Sequence, residues 1–225
     1  MMGFTINPRR GGIDPIWIER FKALPVSTIS DSMERLHGIG EPLRAMHGGA
    51  GMVGVAFTVK TRPGDNLIVH KALDLAAPGD VVVVDAGGAL ENAIIGEMMA
   101  AHAEQRGLAG LVIYGAIRDS AELRRGTFPV FAMGVTHRGP YKNGPGTINM
   151  PIAVSGLPIS PGDLICGDMD GLLAIAPDEI EQIYDRAAEK HAAERRMLEA
   201  IRSGADDRSW IDQALKEAGC AYPSA

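Results

Sequence analysis

The 225-residue chain is long enough to bury one sizeable hydrophobic core, since single domains commonly reach about 200 to 250 residues. Hydrophobic residues make up 46% of the chain and charged residues 22%, a balance that excludes a disordered protein. The 28 acidic residues outnumber the 22 basic ones, and no stripe of lysine and arginine could neutralise a row of phosphates. Nucleic acid is therefore not an expected partner.

Two cysteines, Cys166 and Cys220, are too few for a disulfide framework. Residues 1–12 lack the apolar core of a secretory signal peptide, and no apolar run approaches the roughly 18 residues of a membrane span. The chain is therefore predicted to be cytoplasmic, with no membrane partner.

The first element expected along the chain is a helix that follows Pro25. Ile29, Met33 and Leu36 recur at helical spacing, and serine and threonine residues are available as caps. This pattern predicts a helix over Thr28–Leu36.

A Pro-Gly-Asp triplet occurs three times, each time shortly before an apolar run. The triplets are Pro63–Asp65, Pro78–Asp80 and Pro161–Asp163. Because proline presets the backbone of a turn and glycine permits a positive φ, each triplet is interpreted as a turn that leads into a strand. The expected strands begin at Leu67, Val81 and Leu164.

The middle of the chain has the pattern of a β-α-β unit. A valine strand, Val81–Val84, precedes a helix over Gly96–Arg106, and Gly107 provides the stop. Two further apolar runs, Leu111–Tyr114 and Pro129–Met133, suit strands that are covered on both faces. The sequence therefore predicts an α/β fold in which helices pack on a mixed sheet.

After Pro177 the composition becomes rich in glutamate, arginine, lysine and alanine. Apolar residues recur along one face of Asp178–Ala200, which predicts a long amphipathic helix. Residues 1–202 are expected to form a single α/β domain that includes this helix, and residues 203–225 a C-terminal tail that is either a last short helix or only partly ordered.

The strongest candidate for chemistry is the pair Arg118 and Asp119, which follows the predicted strand around Leu111–Ile117. Residues in that position face the crevice where α/β proteins bind ligands. Arginine forks onto carboxylates, and an adjacent aspartate can hold a hard cation through oxygen. The pair therefore suits a metal-chelated 2-oxo acid. The alternative is an ion pair that only caps the following turn.

Gly96 opens the predicted helix and leaves its first N–H groups accessible to an anion. Glu97 either complements the helix dipole or holds a metal-bound water. The candidate cradle for a substrate carboxylate consists of the amides of Met98, Met99, Ala100 and Ala101.

Other residues carry weaker signals. Asn66 and His70 are either substrate contacts or structural residues. The glycine-rich stretch Asp85–Ala89 lacks the elements of a nucleotide-binding loop and is interpreted as a turn. The histidines, His37 among them, lack the paired spacing of a zinc motif, so zinc is not expected.

Eight short segments, spread over about residues 25–200, together resemble one known family. They are Thr28–Asp31, Gly54–Thr58, His70–Leu73, Pro78–Asp85, Gly96–Glu97, Gly115–Asp119, Phe128–Ala132 and Gly162–Asp168. In these segments the chain resembles the RraA-like proteins. This family includes the 4-hydroxy-4-methyl-2-oxoglutarate and 4-carboxy-4-hydroxy-2-oxoadipate aldolases.

The resemblance implies a layered α/β/β sandwich with mixed sheets and an amphipathic C-terminal helix, assembled as a trimer or hexamer with active sites between subunits. It implies Asp119 as a ligand of Mg²⁺ or Mn²⁺, Glu97 beside a metal-bound water, and Arg118 as clamp for the substrate and its oxyanion. The family's aldolases add a glutamate from the C-terminal helix of a neighbouring subunit. Glu194 fits that role best, and Glu189 is the alternative.

Two functions fit this resemblance. The first is a class II pyruvate aldolase, which splits either aldol into pyruvate plus pyruvate or oxaloacetate and also decarboxylates oxaloacetate. The second is a non-catalytic regulator that binds an RNA-degrading enzyme. Such regulators keep an Arg-Asp pair but are shorter at the C terminus, so the helix Asp178–Ala200 favours the aldolase. An older family label, methyltransferase, finds no methyl-donor loop here.

Overall fold

The structure is a computed structural model that describes residues 3–36, 38–39, 42–49 and 51–221. In this part of the chain the helices are α1 (Pro15–Lys22), α2 (Val26–Ser32), α3 (Leu67–Leu75), α4 (Glu97–Gln105), α5 (Ser120–Arg125), α6 (Ile180–Ser203) and α7 (Ser209–Glu217). The strands are β1 (Phe4–Ile6), β2 (Gly38–Ile39), β3 (Arg44–Ala45), β4 (Met52–Thr61), β5 (Asp80–Asp85), β6 (Ala93–Ile95), β7 (Gly110–Ile117), β8 (Val130–Val135), β9 (Gly146–Ile148), β10 (Ile152–Val154), β11 (Leu157–Ile159), β12 (Leu164–Asp168) and β13 (Gly171–Ile175).

The chain divides into two compact units, residues 1–187 and residues 188–225. Helix α6 begins in the first unit and ends in the second, which also contains α7. The division therefore falls inside α6, whereas the domain boundary predicted at residue 202 lies at the end of that helix.

A large mixed sheet organises the first unit, with the strand order β2-β13-β12-β4-β5-β7-β8-β3. Strands β4, β5, β7 and β8 run parallel, whereas β12, β13, β2 and β3 join in antiparallel fashion. Strand β9 lies between β4 and β1, and β6 pairs with β7. The predicted mixed sheet is confirmed.

The two faces of the sheet are covered by different elements. Val82 and Val84 belong to the core shared with α3 and α4, while Val81 and Val83 belong to the core shared with the β10–β11 hairpin. This alternation follows from the two-residue repeat of a strand. The result is a helical layer, the sheet and a hairpin layer, which confirms the expected α/β/β arrangement.

Most of the predicted strand positions are correct. The valine strand is β5, Leu111–Tyr114 lies in β7, and the third Pro-Gly-Asp triplet leads into β12. The strand predicted after Pro63–Asp65 is wrong, because that segment forms α3. Asp65 accepts the Leu67 amide at the start of this helix, 3.0 Å away. The buried residues of α3 recur at helical spacing and are Ile68, Val69, Ala72 and Leu73.

The first helices also differ from the prediction. Helix α2 spans Val26–Ser32 and stops earlier than the predicted Thr28–Leu36, because Glu34 and Arg35 have positive φ angles of 55° and 61°. A left-handed backbone cannot continue a right-handed helix. Helix α1, capped by the Asp14 carboxylate, precedes it and was not predicted.

The long amphipathic helix predicted over Asp178–Ala200 is confirmed as α6. Its buried residues are Ile180, Ile183 and Ala187, all near its N-terminus. Within the predicted tail, residues 209–217 form α7. None of the helices in the described residues is long and apolar enough to cross a membrane.

Candidate active site

Arg118 and Asp119 stand at the carboxyl end of β7, directly before α5. Asp119 has a left-handed backbone with a φ of 56° and a ψ of 37°. Glycine enters this region freely, and aspartate tolerates it better than most residues. The chain therefore turns sharply at Asp119, and both side chains remain partly exposed, at 44% and 40%.

The Asp119 carboxylate contacts the start of α4. Its Oδ2 accepts the backbone N–H of Glu97 at 3.1 Å and lies 3.6 Å from Nε of Arg118. Gly96 makes this approach possible, because a Cβ at position 96 would overlap Oδ2 of Asp119 and crowd the Arg118 side chain. One glycine thus brings the acid, the arginine and the N-terminus of a helix together.

Replacing Gly96 with alanine tests this close approach. The Gly96 φ is −148°, which any residue adopts, so the only obstacle to alanine is the space taken by Asp119 and Arg118. For the aldolase expected from the sequence, kcat/KM should fall by about 100-fold, since small displacements of reacting groups have effects of that size. Gly11→Ala is the matched control, because its Cβ would meet nothing. Steady-state kinetics comparable to the control would contradict the proposed geometry.

The N-terminus of α4 offers fewer free amides than the sequence pattern indicates. The amides of Met99 and Ala100 both donate to the Gly96 carbonyl, at 3.2 and 3.1 Å. Since a helix leaves only its first few N–H groups without internal partners, the Ala101 amide also belongs to the helix itself. The Glu97 amide is taken by Asp119. Met98 therefore supplies the most accessible N–H for a ligand.

A cavity of about 450 Å³ opens beside this helix terminus. It contains four of the predicted substrate contacts, Asn66, His70, Met98 and Met99, together with Arg118. The rest of its lining consists of Ile94, Ile95, Gly96, Gly139, Pro140 and Lys142. Glu97 and Asp119 are not part of the lining, but they adjoin it through Gly96. Most of the predicted site residues of the first unit thus line or adjoin one cavity, whereas Ala100 and Ala101 are not part of its lining.

Asn66 is buried and connects three elements around the cavity. Its Nδ2 donates to the Ile94 carbonyl at 2.9 Å and contacts the Met99 sulfur at 3.3 Å. Its Oδ1 accepts from Nζ of Lys142 at 3.4 Å. Lys142 was not predicted as a site residue, and it adds a second cationic group to the cavity that holds Arg118.

The loop of residues 139–145, which carries Lys142, is fastened by a buried carboxylate. Asp65 Oδ2 accepts the amides of Asn143 at 2.6 Å and Gly144 at 2.9 Å. Burial opposes ionisation of Asp65, but the amide hydrogen bonds outweigh burial and hold its pKa below the usual value. Asp65 therefore remains charged and fixes the loop at neutral pH.

His70 lies on the second turn of α3 and not after a strand, and it forms part of the cavity wall. Burial lowers its pKa, and the Lys142 ammonium lowers it further, while the Asp74 carboxylate acts in the opposite direction. His70 is therefore neutral at pH 7. A neutral imidazole can donate or accept a hydrogen bond within the cavity.

The residues around Asp119 fit a hard cation such as Mg²⁺. The described hydrogen bond and ion pair of Asp119 both involve Oδ2, and the side chain is 40% exposed, which leaves room for a cation and its waters. Mg²⁺ is commonly held by one or two carboxylates and keeps several waters. Among the described residues no group of three or more His, Cys, Asp or Glu side chains is arranged to hold a metal ion. His37 lies outside the described residues.

Glu194 and Glu189, the two glutamates expected to enter a neighbouring site, belong to the second compact unit. Both are exposed on α6. The Glu194 carboxylate lies 3.1 Å from Nζ of Lys190, one helical turn earlier. Their expected role in catalysis stays a prediction.

Fold and cavity together define an α/β/β sandwich protein with a small pocket, lined by cationic groups, at the carboxyl end of its parallel strands. The family model described as RraA-like, Aldolase/RraA, matches residues 26–174. The chain belongs to the RraA-like family.

Named relatives include both functional classes of this family. A Halalkalibacterium halodurans protein, provisionally named a 4-hydroxy-4-methyl-2-oxoglutarate aldolase, is 39% identical over 185 residues, 82% of this chain and 88% of its own. The Thermus thermophilus protein of that name is 38% identical over 111 residues, 49% of this chain and 68% of its own. A solved structure titled as the RNA-processing inhibitor RraA from Thermus superposes with a TM-score of 0.63 and 32% identity, covering 67% of this chain and 92% of that one.

Proposed function

We propose that the protein is a divalent-metal-dependent aldolase that releases pyruvate from a carboxylated 4-hydroxy-2-oxo acid. The observation that carries this proposal is the junction of Asp119, Arg118 and the α4 N-terminus at one end of a cavity that also contains Lys142. One carboxylate for a cation and two cationic groups for a multiply charged anion suit such a substrate. The names of the aldolase relatives support the same chemistry.

Asp119, with Glu97 beside it, would hold the Mg²⁺ or Mn²⁺ ion through carboxylate oxygen. When bound, the ion would supply positive charge that stabilises the negative charge developing on the 2-oxo group of the substrate. The carboxylate oxygens of Asp119 and the 40% exposure of its side chain are consistent with this role.

The chain's own groups would bind and orient the substrate. Arg118 can fork onto the carboxylate next to the 2-oxo group, with the Met98 amide as a further donor. Lys142, which donates to Asn66, would receive a second carboxylate. Neutral His70 can accept or donate a hydrogen bond at the same wall.

The reaction requires removal of the 4-hydroxyl proton, for which we propose a glutamate carboxylate, Glu194 of a neighbouring subunit. Breaking the C3–C4 bond then leaves the electron pair on the three-carbon fragment, delocalised onto its 2-oxo oxygen, where the Arg118 guanidinium stabilises it. A proton added at C3 gives pyruvate. Loss of carbon dioxide from oxaloacetate leaves the same fragment, so decarboxylase activity should accompany aldolase activity.

Glu194→Gln should retain the oligomer and lose most of the pyruvate-release rate, because the amide cannot accept the hydroxyl proton. We expect a loss of about 100-fold or more, typical of removing a general base. Glu189→Gln identifies the alternative base, and Glu199→Gln, an exposed glutamate on the same helix, is the matched control.

Mixing variants tests whether the site is shared between subunits. An oligomer assembled from Glu194→Gln and Arg118→Ala chains contains some sites with both wild-type groups, so activity should partly return. If the site lies within one chain, mixing restores nothing. Full rates in both the Glu194→Gln and Glu189→Gln variants would also refute the shared-site proposal.

The second candidate function is that of a regulator which binds an RNA-degrading enzyme. It is favoured by the likeness to the Thermus RNA-processing inhibitor, of which this chain covers 92%. Helix α6 lies beyond the matched residues 26–174, so the family match does not decide between the two candidates. A pyruvate-release assay with both aldols and with oxaloacetate distinguishes the two candidates, since a regulator has no turnover.

A further inference from the structure

We propose that the N-terminal arm, residues 3–9, is a positioning element of the cavity, acting through Phe4 on the loop of residues 139–145. This inference rests on the proposed function, because its effect is on substrate binding. The arm lies before residues 26–174, the part that matches the family model. The family match therefore does not include the arm.

The arm is fastened along the outer side of β9. Strand β1 pairs in parallel with β9, from Phe4 opposite Gly146 to Ile6 opposite Ile148. Beyond the strand, the Arg9 guanidinium donates to both carboxylate oxygens of Asp80, which is only 1% exposed. An ion pair with a buried partner and two parallel hydrogen bonds is a firm anchor. The arm is thus held at both of its ends.

Phe4 reaches from this edge onto the cavity loop. Gly144 lies so close to the Phe4 ring that a Cβ at position 144 would overlap it. Yet Phe4 remains 48% exposed, so the hydrophobic gain from burying its ring is not enough to explain why the ring lies on the loop. The ring instead contacts the loop at Gly144, the residue whose amide is held by the carboxylate of Asp65. The loop is thus clamped at Gly144 by both groups.

The clamped loop confines the two cationic groups of the cavity. Its Lys142 contacts Asn66, as described above. Its Gly139 lies against Arg118, since a Cβ there would be 3.4 Å from Nη1 of the guanidinium. Movement of the loop would therefore displace Lys142 and loosen Arg118 together. Phe4 is a positioning residue for both carboxylate-binding groups.

The test compares two residues of the same strand. Phe4 and Ile6 are each 48% exposed, and the ring that crowds Gly144 is that of Phe4, so Ile6→Ala is the matched control for Phe4→Ala. We expect hydrogen exchange at the Asn143 and Gly144 amides, both bonded to Asp65, to accelerate about tenfold in Phe4→Ala alone. KM for the aldol should rise about fivefold with kcat nearly unchanged. The reason is that the substitution weakens binding of the substrate and of the transition state to the same extent. Phe4→Leu, which refills part of the space, should recover most of the loss.

Unchanged exchange at Asn143 and Gly144 would overturn the inference, as would equal effects of Phe4→Ala and Ile6→Ala. Faster exchange with an unchanged KM in an active enzyme would also overturn it. If the wild-type chain releases no pyruvate, the proposed function fails instead, and the exchange rates alone then decide whether Phe4 holds the loop.

Discussion

Asp119→Asn should abolish metal-dependent pyruvate release while the protein keeps its fold. Asparagine has the same shape and retains an oxygen that can accept the Glu97 amide, so the turn before α5 should survive. It lacks the negative charge that holds a divalent cation. Metal ions contribute several kcal/mol to stabilisation of developing charge, so we expect kcat to fall by on the order of 10³-fold or more.

The control for this substitution is Glu122→Gln on the following helix. The Glu122 side chain is 42% exposed, close to the 40% of Asp119, and pairs with Arg125 outside the cavity. Its activity and its melting temperature should match those of the wild type. Asp119→Asn should match them in melting temperature alone. A full rate in Asp119→Asn would remove this carboxylate from the site.

Arg118→Lys should reduce kcat/KM by roughly 10²- to 10³-fold, although the charge is kept. Lysine presents one compact ammonium, whereas the guanidinium offers two parallel donors to a carboxylate and a third direction to the developing oxyanion. The shorter reach of lysine would also leave the space beside Gly139 unfilled. Most of the loss should therefore appear in kcat, because the stabilised charge develops only in the transition state.

Arg125→Lys supplies the comparison, since Arg125 is 74% exposed and pairs with Glu122 outside the cavity. It should behave as the wild type. A near-normal kcat/KM for Arg118→Lys would instead show that Arg118 is a structural residue that caps the turn.

The parallel core of the fold could be predicted from local sequence because its signals are local. Four consecutive valines that follow a Pro-Gly-Asp turn specify a strand whose two faces are both covered, and β5 is that strand. The same triplet failed at Pro63–Asp65, since apolar residues at helical spacing follow it and the Asp65 carboxylate serves the helix start and a distant loop at once. Turn chemistry specifies a turn but not the element that follows.

The site residues also divide into those that local sequence could predict and those that it could not. Arg118 and Asp119 adjoin a strand end, so their place was accessible from the sequence. Lys142 was not, because it reaches the cavity through the buried carboxylate of Asp65, 77 positions earlier in the chain. The hydrogen bonds from the Met99 and Ala100 amides to the Gly96 carbonyl were also not evident from the sequence. Long-range tethers and individual hydrogen bonds are properties of the folded chain.

The most direct test of the proposed function is pyruvate release from 4-hydroxy-4-methyl-2-oxoglutarate by the purified chain, with Mg²⁺ and after complete chelation. We expect steady turnover with Mg²⁺, loss of turnover with EDTA, and recovery when Mg²⁺ or Mn²⁺ is restored in excess. The same dependence should hold for 4-carboxy-4-hydroxy-2-oxoadipate or for oxaloacetate. Full turnover after chelation would contradict the metal-dependent mechanism, and no turnover on any of the three substrates under any condition would contradict the aldolase itself.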